Sequence, residues 1–111
     1  MIVNYSKENR MLILKLTEEI DQHTADKIRI QIDNEITRYS PKSVIFDFKD
    51  ISFMDSSGIG MVLGRYKLTK MIGGSFEIIN VNRRMQKIFD MSGVSRIIEI
   101  KKEDVNEGVV W

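Results

Sequence analysis

Apolar residues change their spacing several times along this chain, and those changes limit the folds open to it. Ala25, Ile28, Ile32, Ile36 and Tyr39 recur at steps of three and four. That is one face of an amphipathic helix, with Asp26, Arg29, Asp33 and Arg38 on the wet side. On either side the step falls to two. Leu12, Leu14 and Leu16 share one face of a strand over Met11 to Leu16, and Val44, Phe46 and Phe48 alternate against Ile45 and Asp47. A chain that switches between these periods builds a sheet and packs helices against it.

The remaining elements follow from local signals. Ile2 to Tyr5 reads as a short first strand, joined to the second by a polar hairpin turn over Ser6 to Arg10. Asp21 is read as the N-cap of the first helix, and Pro41 stops it. A second helix starts at Ser56 or Ser57 and ends at Gly73-Gly74. Ser75 to Asn80 is a strand, Asn82 caps a third helix bearing Met85, Ile88 and Phe89, and Gly93 closes it. Arg96 to Ile100 reads as the last strand, and Lys102 to Trp111 as a short terminal helix with Val105, Val109 and Trp111 available to dock. The fold class is α/β. The expected architecture is one domain over residues 1–111, with a mixed, mostly parallel sheet opened by a hairpin, right-handed crossovers, and three to four helices against the sheet.

Composition removes several functions. Lys+Arg is 17 against Asp+Glu 16, so no strong field draws the chain to nucleic acid or an anionic membrane. There is no cysteine, which excludes disulfides, thiolate metal sites and a Cys nucleophile, and one histidine with scattered carboxylates is a poor metal set. Apolar runs never exceed four residues and no signal-peptide core opens the chain, so no membrane span is expected and the cytoplasm is the default location.

The chemistry concentrates in Phe48-Lys49-Asp50-Ile51-Ser52-Phe53-Met54-Asp55-Ser56-Ser57-Gly58-Ile59-Gly60. This run leaves the C-terminal end of a strand and opens a helix, where free N–H groups point outward and where ligands of α/β sheets gather. A hydroxyl there is exposed and can carry a phosphate that the helix N-terminus stabilises, and Gly58 and Gly60 allow another molecule close to the backbone. On residue type alone, simple capping by Asp55, Ser56 and Ser57 is the favoured account. Catalytic patterns fit poorly. A nucleophile elbow needs Gly where Met54 stands, a phosphate loop needs a Lys-Ser/Thr ending that is missing after Gly64, and the glycine spacing departs from the dinucleotide fingerprint. A small hydrolase built from Ser56, His23 and Asp21 is a third reading that only geometry can test. The second helix is apolar on two sides, with Ile59, Val62, Leu63 and Tyr66 opposite Met61, Leu68 and Ile72. The second stripe faces either a neighbouring helix or a partner.

Asp55-Ser56-Ser57-Gly58-Ile59-Gly60, continuing as Met61-Val62-Leu63-Gly64-Arg65-Tyr66, closely resembles the anti-sigma factor antagonists of the STAS domain class. Within that class it is most similar to the sporulation antagonists of the anti-sigma factor that holds sigma factor F. The likeness covers nearly the whole chain, including Leu16 to Thr24, Ile51-Ser52-Phe53-Met54, Ile72-Gly73-Gly74 and Phe89-Asp90-Met91-Ser92-Gly93. Where the family commonly places Gly before the Glu of the earlier motif, this chain has Glu18-Glu19-Ile20-Asp21.

The resemblance implies a single STAS-like domain that is a binding module rather than an enzyme, needs no cofactor, and is monomeric when free. It implies a partner, an ATP- or ADP-bound anti-sigma factor that is also a serine kinase, whose binding releases the sigma factor. Phosphorylation of Ser56 by that kinase ends binding, and a PP2C-type serine phosphatase restores it. It further implies a partner surface made of Asp21, Asp55, Ser56, Ser57, Gly58, Gly60 and Met61. The alternative within the same class is a phospho-switch module of a general stress-response or sensory scaffold pathway.

Overall fold

The computed structural model describes residues 1–102, which form five strands and three α-helices. Strands β1 (Ile2–Ser6) and β2 (Met11–Lys15) make the opening hairpin, antiparallel from Ile2↔Lys15 to Ser6↔Met11. Helix α1 (Ala25–Tyr39) crosses to β3 (Ser43–Asp47), α2 (Ser56–Met71) to β4 (Ser75–Val81), and α3 (Arg83–Ser92) with a 3-10 turn (Val94–Arg96) to β5 (Glu99–Lys102). The strands lie in the order β1-β2-β3-β4-β5, and every pair after the first is parallel. The mixed, mostly parallel sheet opened by a hairpin is therefore observed. The buried faces of all three helices join Leu12, Leu14, Phe46 and Phe48 in one core cluster, so the helices share one face of the sheet, as crossovers of one hand that step the same way require.

Burial follows that geometry. Leu12, Leu14 and Leu16 are at most 1% exposed, and Val44, Phe46 and Phe48 are fully buried in the middle strand and its extension. Ile45, on the other face of β3, is also buried at 7% because β3 has a strand on each side. Phe46 meets Phe76 edge-on at 4.7 Å, Phe48 meets Phe89 at 5.6 Å, and Tyr66 meets Phe76 at 6.0 Å, so aromatic contacts join α2 and α3 to the sheet. Each buried Phe, Leu or Ile of this layer contributes about 1.5–3 kcal/mol.

Two boundary expectations need correction, and one open alternative closes. Helix α1 begins at Ala25 with Thr24 in the N-cap position, and the Asp21 side chain acts one turn earlier. The last strand starts at Glu99 rather than Arg96. Gly93 adopts a left-handed conformation (φ 84), the chain tightens into the 3-10 turn, and Val94 and Ile98 plug the core on either side of exposed Ile97. The second apolar stripe of α2 is largely taken up inside the molecule, since Met61 is 5% exposed and Leu68 is half-buried against the core; Met71 and Ile72 at its end stand in solvent. The expected terminal helix over Lys102 to Trp111 lies outside the described residues, apart from Lys102, which ends β5.

Candidate functional site

Strands β2, β3 and β4 are parallel, so the segments that follow them emerge at one end of the sheet. The ladder runs on past the strand ends, with Leu16 N donating to Asp47 O (3.2 Å) and Phe48 N to Ile79 O (3.0 Å). Beyond it, Ile20 and Met54 form a parallel bridge that sets residue 21 beside residue 55. Glu19 locks the two segments together, its Oε1 accepting from Ser52 N (3.2 Å) and Ser52 Oγ (3.1 Å). The tie comes from Glu19, while Glu18, which stands where the family commonly has Gly, reaches Lys27 instead.

Asp21 turns the first segment. Its Oδ1 accepts from His23 N at 2.8 Å and Thr24 N at 3.0 Å, and Thr24 Oγ1 accepts from Asp21 N while donating to Glu19 O. These bonds, the His23 N–H foremost, hold the Asp21 carboxyl below the usual carboxylate range, so it is charged at neutral pH. The His23 backbone, not its ring, meets Asp21. Among the described residues no hydrogen bond joins His23 to Ser56.

The second segment resolves the capping question. Asp55 is the N-cap of α2, in extended conformation (φ −95, ψ −169), and its Oδ1 accepts from Ser57 N (2.9 Å) and Gly58 N (3.3 Å). Capping is complete without either serine. Ser57 is half-buried; Ser56 is exposed, and among the described residues no hydrogen bond holds its hydroxyl. The two glycines differ as well. A Cβ on Gly58 would sit 2.7 Å from Met54 Sδ, so Gly58 is buried and exists to let Met54 pack. A Cβ on Gly60 would meet nothing within 4 Å, and Gly60 is the one that keeps the surface open.

From this turn a cleft of about 360 Å³ runs between the helices, lined by Asp26 and Arg29 of α1 and by Ser57, Gly60, Met61 and Arg65 of α2. Its far end is charged but internally paired. Arg65 Nε lies 2.8 Å from Asp33 Oδ1, close enough for an ion pair though off the line of the N–H, and Arg29 reaches Asp33 Oδ2 at 3.6 Å. Burial pushes the Arg65 guanidinium down from its usual value, and Asp33 opposes that shift. A larger hollow, about 550 Å³, lies along α3 against Lys102 and contains none of Asp21, Asp55 or Ser56.

Of the expected surface, Asp21, Asp55, Ser56, Ser57 and Gly60 come together at one end of the sheet, while Gly58 and Met61 lie beneath it. Two further residues escaped the sequence reading. Phe53 is 47% exposed, and the Arg84 guanidinium sits 5.0 Å over its ring. The only signal was an aromatic residue in an otherwise capped loop; nothing in the sequence pairs residue 53 with residue 84.

Three loops thus lie at the C-terminal ends of parallel strands, with Ser56 exposed on a capped helix. A family model, the STAS domain, matches residues 3–106, and the chain belongs to that family. It is 41% identical to the anti-sigma F factor antagonist of Paenibacillus polymyxa over 86% of this chain and 82% of that one. Its fold matches the anti-sigma factor antagonist SpoIIAA in its unphosphorylated form with a TM-score of 0.69 at 26% identity, covering 97% of this chain and 93% of that one. The phosphorylated form of the Bacillus SpoIIAA matches with a TM-score of 0.66 at 29% identity, covering 93% and 92%. No helix among the described residues is long and apolar enough to cross a membrane.

Proposed function

We propose that this chain is an anti-sigma factor antagonist of the sporulation sigma factor F pathway, working in the cytoplasm as a single domain and switched by phosphorylation of Ser56. The observation that carries the reading is the division of labour at the start of α2, where Asp55 does the capping and leaves Ser56 exposed with an unengaged hydroxyl. The partner is an anti-sigma factor that is also an ATP-dependent serine kinase. In the transfer, Ser56 Oγ bonds to the γ-phosphorus of ATP as the bond to the β-γ bridging oxygen breaks, ADP leaves, and the hydroxyl proton passes to a base on the kinase. A PP2C-type phosphatase hydrolyses the phosphoserine and returns the active form. The chain itself supplies the surface and the acceptor, not the catalysis.

Charge explains the direction of the switch. A phosphoserine adds about −1.5 to −2 charges. It arrives beside Asp55 and next to the ionised Asp21 segment, and two first-turn N–H groups that could have neutralised it already serve Asp55. The phosphate therefore projects as net negative charge toward the partner rather than folding back onto the helix. A penalty of about 3–4 kcal/mol at the interface lowers affinity several-hundred-fold, at about 1.4 kcal/mol per tenfold. The similarity of this fold to both the phosphorylated and the unphosphorylated relative supports a switch that acts at the surface.

The test is direct. Incubation with the cognate anti-sigma kinase and ATP, followed by mass spectrometry, should place the phosphate on the Ser56 peptide and remove it with a PP2C phosphatase. Ser56→Ala should stay bound to the kinase and Ser56→Asp should bind weakly. Phosphate on Ser57, or equal binding by the two variants, would refute the assignment.

A further inference from the structure

We propose that the partner surface continues from the Ser56 turn across Phe53 to the first turn of α3, where Phe53 is an apolar anchor and Arg84 receives an acidic group of the partner. The inference rests on the reading of Ser56 as the centre of a partner-binding surface, and it specifies the partner's chemistry there as an apolar pocket with a carboxylate at its rim.

Phe53 is exposed by construction rather than by looseness. Its neighbours Ile51 and Met54 are buried at 0% and 2%, and the chain on both sides is tied down. Ile51 N donates to Phe48 O (3.0 Å), Ser52 is held by Glu19, Ile51 O accepts from Asn82 Nδ2 (3.4 Å), and Met54 is bridged to Ile20. A segment so fixed has little backbone freedom left to lose on binding, which favours the residue it presents as an anchor. Aromatic residues and arginine are also the side chains enriched among those that dominate interface energies.

Arg84 breaks a local rule. The first turn of α3 carries Arg83 and Arg84 and no acidic residue, although a helix N-terminus favours anions and is destabilised by cations. Among the described residues neither arginine takes part in an ion pair with a carboxylate. Local choices that work against the fold are concentrated at functional sites. Here the helix N-terminus adds its own positive field to the guanidinium over the Phe53 ring, so the two together attract an acidic group. An acidic group docked on Arg84 is also repelled by a phosphate on Ser56, three residues along the same loop from Phe53. The sign of the phosphorylation switch and the charge of the partner thus agree.

Phe53→Ala and Arg84→Glu separate this inference from its parent. Each is made in the full chain, checked for an unchanged melting transition, and titrated against the purified cognate anti-sigma factor beside Ser56→Asp. Both variants should weaken binding at least about tenfold, and Arg84→Glu should also flatten the salt dependence of affinity. If Ser56→Asp binds weakly while Phe53→Ala binds within about twofold of wild type, the anchor is overturned and the switch stands. If Arg84→Glu binds as wild type does, the acidic rim is overturned. If Ser56→Asp itself binds normally, the parent reading fails first. Should Phe53→Ala melt early, Arg84→Glu decides, because Arg84 is exposed on the surface of α3.

Discussion

Asp55 and Ser56 sit next to each other and do unlike work, and substitution tells them apart. Asp55→Ala removes a cap that receives two backbone N–H groups and should cost about 1 kcal/mol in a urea titration. Ser56→Ala touches no hydrogen bond among the described residues and should stay within about 0.5 kcal/mol of wild type, while abolishing phosphate incorporation. The glycines give a matching contrast. Gly58→Ala drives a methyl into Met54 and should lose about 1–3 kcal/mol, whereas Gly60→Ala, in open space within α2, should raise stability by up to about 1 kcal/mol and weaken partner binding. Asp21 adds a pH signature. Its carboxyl is lowered in the folded chain by the His23 and Thr24 N–H groups, so its contribution to the Ile20–Thr24 turn is complete above the ordinary carboxylate pKa. That contribution is lost as pH falls through the lowered value. An NMR titration should show Asp21 ionising below the ordinary carboxylate range, and a normal midpoint would remove this account of the turn.

At the scale of elements, the contact between α1 and α2 is where sequence reasoning left two options open. The pattern of α2 showed apolar residues on two sides without saying which side met protein. The structure has α1 beside α2, sinks Met61 between them, and sets Arg65 against Asp33 at 2.8 Å. Arg65 keeps only 12% of its side chain exposed, so removing Asp33 strands a cation that burial already disfavours. Asp33→Ala should lower stability by about 1–3 kcal/mol, less than for a fully buried pair because Asp33 is itself 29% exposed. Thermal melts of Asp33→Ala and of the Asp33→Ala, Arg65→Met double variant test this, since the double variant should recover most of the loss. Strand β2 and helices α1 and α3 were legible because each buries one periodic face, while β1 and the ends of α2 were legible from turn and glycine signals instead. The start of β5 was not. Arg96 to Ile100 reads as apolar alternation, yet Gly93 and the core positions of Val94 and Ile98 impose a 3-10 turn first.

For the molecule as a whole, the proposed switch at Ser56 requires no rearrangement. The Ser56 turn is held by the Glu19–Ser52 bonds, the Ile20–Met54 bridge and the Asp55 cap, none of which uses the Ser56 hydroxyl. Phosphorylated and unphosphorylated protein should give superimposable amide spectra except around residues 19–24 and 52–60. Shifts spread through β1 or the far end of α2 would point instead to a change of fold.

The sequence by itself determined the class of fold, because periods of two and of three to four fix which faces must be buried. It also located Ser56, because a short motif at a strand-to-helix turn is a local pattern. Capping by Asp55, the packing of Met54 on Gly58, the Asp33–Arg65 pair and the Phe53–Arg84 stack were decided only in three dimensions. Each depends on which of several chemically suitable partners arrives within a few ångströms, and between residues far apart in the chain that is set by how the crossovers close, not by any spacing in the sequence.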